Sequence, residues 1–205
     1  MSATIEQLLT GQSFEQETWD GLDLGSADLS KKEFVDCTFR SLKLAQCRWN
    51  AVRLEDCVFE DCDLTRLSPV QLTLRGVEFR RCKLLGFDWS KVSEHPDMSF
   101  VDCNLSYATF VSLTAHKTRF TRCVLVEASF ERSELVAAVF DECQLAGARF
   151  DSCNLERASF AGCRDLLLDP ARNKLRGASI PLDAAVALAG SFGLQVVGFS
   201  KASQR

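Results

Sequence analysis

Between Phe14 and Phe160 a large apolar residue returns at every fifth position. Neither the period of about 3.6 residues of a helix nor the period of two of a strand produces that spacing. The stretch FDECQLAGARFDSCNLERASF shows the pattern: Phe140, Leu145, Phe150, Leu155 and Phe160 carry the beat, and Cys143, Ala148, Cys153 and Ala158 stand two residues before four of them. Traced from the start, the beat runs Phe14, Trp19, Leu24, Leu29, Phe34, Phe39, Leu44, Trp49, Leu54, Phe59, Leu64, then Pro69 as an exception, then Leu74, Phe79, Leu84 and Trp89. The segment SKVSEHPDM, residues 90–98, carries one residue too many, and the beat resumes at Phe100, with Ala115 a weak member. A five-residue unit with one large and one small inward side chain cannot bury its own apolar face. It must stack on copies of itself.

All ten cysteines fall in the small-residue slot two positions before a beat or its continuation, where Ala, Val and Ser also occur. Cysteine there acts as a small hydrophobe. With only His95 and His116 to join them, no zinc-ligand spacing forms, and neither a metal nor another cofactor is expected. The 24 Lys and Arg against 28 Asp and Glu form no basic block, which argues against direct nucleic-acid binding. No apolar run is long enough to span a membrane, and the opening MSATIEQLLTGQ lacks the basic and apolar parts of a leader, so a cytoplasmic location is expected. No HExxH, phosphate-cradling glycine loop or nucleophile elbow occurs, so the chain is not read as an enzyme.

The units CNLSY, CNLER and ADLSK resemble the repeat A-(D/N)-(L/F)-x-x of the pentapeptide-repeat family. The resemblance implies an all-β solenoid, a right-handed quadrilateral parallel β-helix in which each unit forms one side and four units form a twenty-residue coil. About seven coils, stacked at about 4.8 Å, give a rod about 35 Å long. The expected organisation is an N-terminal cap at 1–11, the β-helix at 12–163 with a loop at 90–98, and a C-terminal cap and dimerisation segment at 164–205. In the cap, Ser2 is expected to start a short helix bearing Ile5, Leu8 and Leu9. Cys103, Cys123, Cys143 and Cys163 are expected in one interior column as free thiols, because parallel Cβ vectors on stacked strands fit a disulfide poorly. Pro69 is expected to mark a bend.

The tail NKLRGASIPLDAAVALAGSFGLQVVG has Pro181 at the expected first position of a helix, Leu182, Ala185, Ala189 and Phe192 at helical spacing, and Gly193 at its end, followed by the strand-like Leu194 to Val197. It resembles the C-terminal segment of the gyrase-protecting Qnr, McbG and AlbG members of that family. The resemblance implies a homodimer held by Leu182, Val186, Leu188, Ala189, Phe192, Val196 and Val197, and a rod that imitates duplex DNA on DNA gyrase or topoisomerase IV. Such a protein protects the enzyme from quinolone or peptide poisons; the alternative is an interaction scaffold for another partner.

The beat also sorts the outward charges by face. The face through Phe14, Phe34, Leu54, Leu74, Phe100, Phe120 and Phe140 carries eight acids against four bases and the next face five against three. The expected docking residues are therefore Glu33, Asp36, Glu55, Asp56, Glu60, Asp61, Asp102, Asp141 and Glu142. Glu94, His95 and Asp97 belong to the interruption, expected to bulge outward as a surface loop.

Overall fold

A computed structural model of the chain describes residues 4–93 and 95–197. The beat residues point inward and four units close each coil. Phe14, Phe34, Leu54 and Leu74 lie on the first face, where strands Ser13–Glu15, Glu33–Val35, Arg53–Glu55 and Thr73–Arg75 form a four-stranded parallel sheet. The second face carries a seven-stranded parallel sheet: Thr18–Asp20, Thr38–Arg40, Val58–Glu60, Val77–Arg80, Met98–Val101, Arg119–Thr121 and Val139–Asp141. The third face has Leu24, Leu44, Leu64, Leu84, Leu105, Leu125 and Leu145 inside and is built of turns. On the fourth, strands Thr109–Val111, Ser129–Glu131 and Arg149–Asp151 pair in the later coils.

Local chemistry explains the corners. Two residues after most beats the backbone is left-handed, as at Asp36, Asp56, Asp61, Arg81, Asp102, Arg122 and Glu142, with φ between 50 and 55°. A left-handed residue other than glycine costs about 1 kcal/mol or more. Its amide recovers a partner in the next coil: Asp36 N–H donates to Glu55 O at 2.9 Å and Asp102 N–H to Thr121 O at 3.0 Å. On the turn faces the Asp or Asn before the beat accepts from the amide two residues on, as in Asp63 to Thr65 (3.0 Å) and Asn104 to Ser106 (3.1 Å). This Asx turn is what the D/N of the repeat does.

Inside, rings stack at the strand repeat. Phe110, Phe130 and Phe150 form one column with centroids 4.6 and 4.7 Å apart, and Phe120, Phe140 and Phe160 another at 4.8 Å, each ring meeting the other column edge-on. Pro69 is buried at its beat position between Trp49 and Trp89 rather than marking a bend. The amide of Val70 still donates to Trp49 O, so the ladder passes through that coil unbroken. All ten cysteines are buried and free. Their column is longer than expected, because Phe79 pairs with Phe100 and so places Cys82 beneath Cys103: it runs Cys62, Cys82, Cys103, Cys123, Cys143, Cys163. The thiols donate weakly to carbonyls of the coil below, as Cys143 Sγ does to Phe120 O.

The interruption differs from the expected loop. The ladder holds on both sides of it, with Ser93 N–H on Leu72 O (2.8 Å) and Val77 N–H on Asp97 O (3.1 Å). His95 is exposed and left-handed (φ 59°), Pro96 is buried, and Asp97 is already back in the ladder; Glu94 lies outside the described residues. The surplus is one residue: the offset between neighbouring coils is 21 from Val77↔Met98 to Asp88↔Thr109 and returns to 20 at Ser99↔Arg119. The segment therefore makes a side of its coil instead of leaving it.

The first end is capped by α1 (Ile5–Thr10), whose N-cap is Thr4, in a reciprocal capping box with Gln7; the expected Ser2 lies outside the described residues. Lys32, only 5% exposed, donates from Nζ to Leu9 O and Gly11 O at the end of this helix and lies 5.8 Å from the Phe14 ring. Burial pushes its pKa down. At the other end the ladder runs past Cys163, through Asn154↔Lys174 and Ser159↔Ser179, because Leu175 and Ile180 continue the beats of Leu155 and Phe160. Helix α2 (Leu182–Ser191) follows, with Pro181 as N-cap rather than first helical residue. Residues 194–197 form no strand among the described residues.

Two outcomes follow from this packing. Thiol titration without reductant is expected to find ten reactive groups in denaturant and essentially none in the native protein. Phe130→Ala, in the middle of a continuous ring column, is expected to destabilise by about 3–5 kcal/mol in denaturant unfolding.

Candidate functional site

The candidate site is the outer surface of the rod and its C-terminal end. The pairing of Phe79 with Phe100 corrects the assignment of acids to faces. The beats Phe100, Phe120 and Phe140 belong to the second face, not to the first with Phe14, Phe34, Leu54 and Leu74. A face count that sets Phe100 directly after Leu74 on the first face leaves out the interruption, which supplies one of the coil's sides. Asp102, Asp141 and Glu142 therefore stand above Glu60 and Asp61, and Glu33, Asp36, Glu55 and Asp56 form a separate group on the first face and its corner.

The two groups differ in charge. On the second face and the corner after it, opposite charges alternate from coil to coil. Arg40 Nε lies 3.1 Å from Glu60, Arg81 lies 2.6 Å from Glu60 and 2.9 Å from Asp61, and Arg122 lies 2.7 Å from Asp102. Hydrogen bonds from Arg81 hold the carboxyls of Asp61 and Glu60 below the usual range, and a bidentate pair from Arg122 does so for Asp102. Asp141 and Glu142, at the top of this face, have no ion-pair partner among the described residues. On the first face Glu33 is tied to Arg53 at 2.5 Å, but Asp36, Glu55, Asp56 and Glu15 have no ion-pair partner among the described residues. The carboxylate of Asp56 lies over the bare Cα of Gly76, which is left-handed at φ 60°. The net acidic surface is thus the early part of the first face, where Glu15, Glu33, Asp36, Glu55 and Asp56 face Arg53 and Arg75.

The C-terminal end is apolar. Leu182, Phe192 and Leu194 are each about two-thirds exposed and Val197 almost wholly so, while Val196 is 40% exposed. Val186, Leu188 and Ala189 are half-buried, and α2 buries only Ala184 against the rod. Between α2 and the last coils lies a cleft of about 940 Å³, lined among others by Phe150, Leu167, Ile180, Leu188 and Phe192. All seven residues expected to form a contact there are exposed or half-exposed, and Leu188 and Phe192 line the cleft itself. His95 and Asp97 are exposed on the side of the rod, apart from this end.

A four-sided parallel solenoid with a helix over its last coil is a repeat protein whose outward positions are free to serve binding. Residues 32–110 match the pentapeptide repeat region family, and residues 138–164 match the family of pentapeptide repeats in eight copies. The chain belongs to the pentapeptide-repeat family. It is similar to the quinolone resistance pentapeptide repeat protein QnrB96 of Scandinavium goeteborgense, with 31% identity over 85 residues, 41% of this chain and 40% of that protein. The match thus spans two-fifths of the length of that relative. Among solved structures, a trypsin-treated form of QnrB1, a plasmid-mediated fluoroquinolone resistance protein, shares the fold with a TM-score of 0.66 at 23% identity, covering 92% of each chain. Full-length QnrB1 does so at 0.60 and 22% identity, covering 91% of this chain and 92% of that one.

The ion-pair ladder is open to direct measurement. In a carboxyl NMR titration Glu60, Asp61 and Asp102 are expected to have midpoints below the ordinary values of about 4.3 and 3.9. Arg81→Gln is expected to bring the first two back up and leave Asp102 low. Because these carboxyls are depressed in the folded state, whatever they add to stability is present above their unfolded values and is lost as pH falls through the folded ones.

Proposed function

We propose that the protein is a homodimeric, DNA-mimicking ligand of a type II topoisomerase, DNA gyrase or topoisomerase IV, and protects it from a quinolone or peptide poison. The observation that carries this reading is the 31% identity to a quinolone resistance protein over 85 residues, supported by the QnrB1 fold across nearly the whole chain. Protection works by occupancy. A surface that holds duplex DNA is basic, and an uncompensated acidic strip along a rigid rod competes for it or loosens a trapped cleavage complex. The strip expected to dock is Asp36, Glu55 and Asp56 with Glu15, since the acids of the second face are largely neutralised by their own arginines. The apolar end joins two rods tail to tail about a two-fold axis, burying Leu182, Phe192 and Leu194 in an isologous contact.

In a gyrase supercoiling assay with a fluoroquinolone, the protein is expected to restore supercoiling at low concentration and to inhibit it at high concentration. No effect on gyrase or topoisomerase IV at any concentration refutes the reading. Asp36→Asn combined with Asp56→Asn is expected to weaken topoisomerase binding and flatten its salt dependence. Light scattering is expected to give twice the chain mass of 22.8 kDa, and Phe192→Glu to return it to a monomer that is still folded.

A further inference from the structure

Opposite the acidic strip, the third face is nearly uncharged in its later coils. From Lys83 to Gly147 its outward positions hold no charge but Lys83 and Glu127, and Leu85, Val124, Val126 and Ala146 are partly exposed there. The corner that follows this face is occupied by Gly86 in one coil and by Gly147 three coils above. Between them stand Tyr107 and then Glu127, both left-handed, at φ 61 and 55°. Tyr107 is the single tyrosine of the chain and is 61% exposed. Its ring joins none of the aromatic stacks, and its hydroxyl has no partner among the described residues. A bulky side chain in this backbone region costs about 1–2 kcal/mol, and here the core regains nothing from it.

Glu127 sits in the next coil at the same corner, with Tyr107 N–H donating to Val126 O at 2.9 Å. Its carboxylate has no base beside it among the described residues and lies over the bare Cα of Gly147, where an added Cβ would be 2.5 Å from Oε1. Successive corners are about 4.8 Å apart, so one extended side chain can span the ring and the carboxylate. We infer that this corner docks a protein partner presenting an arginine from an otherwise uncharged segment. The methylenes of that arginine lie across Tyr107 and Val126, and its guanidinium forks onto Glu127 beside Gly147. An unpaired carboxylate at the end of an apolar track selects such a side chain: the stem needs cover and the planar head matches a carboxylate in a bidentate pair. The site goes beyond the topoisomerase reading, since it lies on the far side of the rod from the acidic strip and stays open when that strip is engaged.

The single tyrosine makes the test direct. With carbon-13 in the tyrosine ring of the full chain, one set of ring signals reports on this corner alone. Titration with the acetylated, amidated peptide Leu-Arg-Leu is expected to shift those signals saturably in the millimolar range. The same peptide with citrulline in place of arginine is expected to shift them little. Glu127→Gln, a change at an exposed side chain, is expected to weaken the arginine peptide about threefold, as the loss of an exposed ion pair does. Ring signals that stay put under the arginine peptide, that move equally under citrulline, or that respond as before in Glu127→Gln overturn the inference. None of these outcomes depends on whether a topoisomerase binds.

Discussion

Every coil of this rod completes its backbone hydrogen bonding through the coil below and the coil above, and the rest of the structure answers to that requirement. A five-residue side is too short to satisfy itself, so amides reach carbonyls about twenty positions away: Asp36 to Glu55, Asp56 to Arg75, Val124 to Cys103. The corners must then turn sharply without giving up their amides, which is why left-handed backbone recurs at so many residues that are not glycine. The same stacking brings identical inward positions to strand spacing, where phenylalanine rings stack face to face and thiols fall in line. An unfinished coil at either end would leave amides and carbonyls bare. At one end α1, held by Lys32, provides cover, and at the other the chain turns into α2.

The architecture was legible in the sequence because the repeat states the geometry of each side directly: Phe140 to Phe160 alone contains one full coil. The faces were legible too, up to the interruption. Past it they were displaced by one side, since Glu94, His95 and Pro96 offer no large apolar residue to count. Buried Pro96 stands in that side without announcing itself, and the pairing of Val77 with Met98 was needed to show that a side was present. The helix at residues 182–191 was readable from its spacing, whereas the strand expected at 194–197 does not form among the described residues, because a short apolar run makes a strand only where a neighbouring strand pairs with it.

Charge was the least legible part. Counting acids along the chain treats each as free, but residues twenty or twenty-one apart are neighbours in space, and arginines placed at that interval cancel them. Arg40 and Arg81 together cancel Glu60 and Asp61, and Arg122 cancels Asp102, so the second face is a ladder of alternating sign. What survives is set by where no arginine stands one coil away. Asp36 has Asp56 above it and Asp56 has Gly76, so this corner keeps its charge.

The same rule decides which outward residues are free to be read by a partner. In a solenoid the corner positions are neighbours only of the corner above and the corner below, so a side chain is left open when its vertical neighbours are glycine or cannot pair with it. Asp56 beneath Gly76 and Glu127 beneath Gly147 both meet that condition, on opposite sides of the rod. Glycine at these corners relieves left-handed strain and also leaves an adjacent carboxylate uncovered. A substitution there changes two things together: alanine at Gly76 or Gly147 would add strain at a positive φ and push the carboxylate below it aside. Binding positions in this protein are therefore tied to the fold through the residue one coil above them, so the corner glycines constrain the surface as firmly as the beat constrains the core.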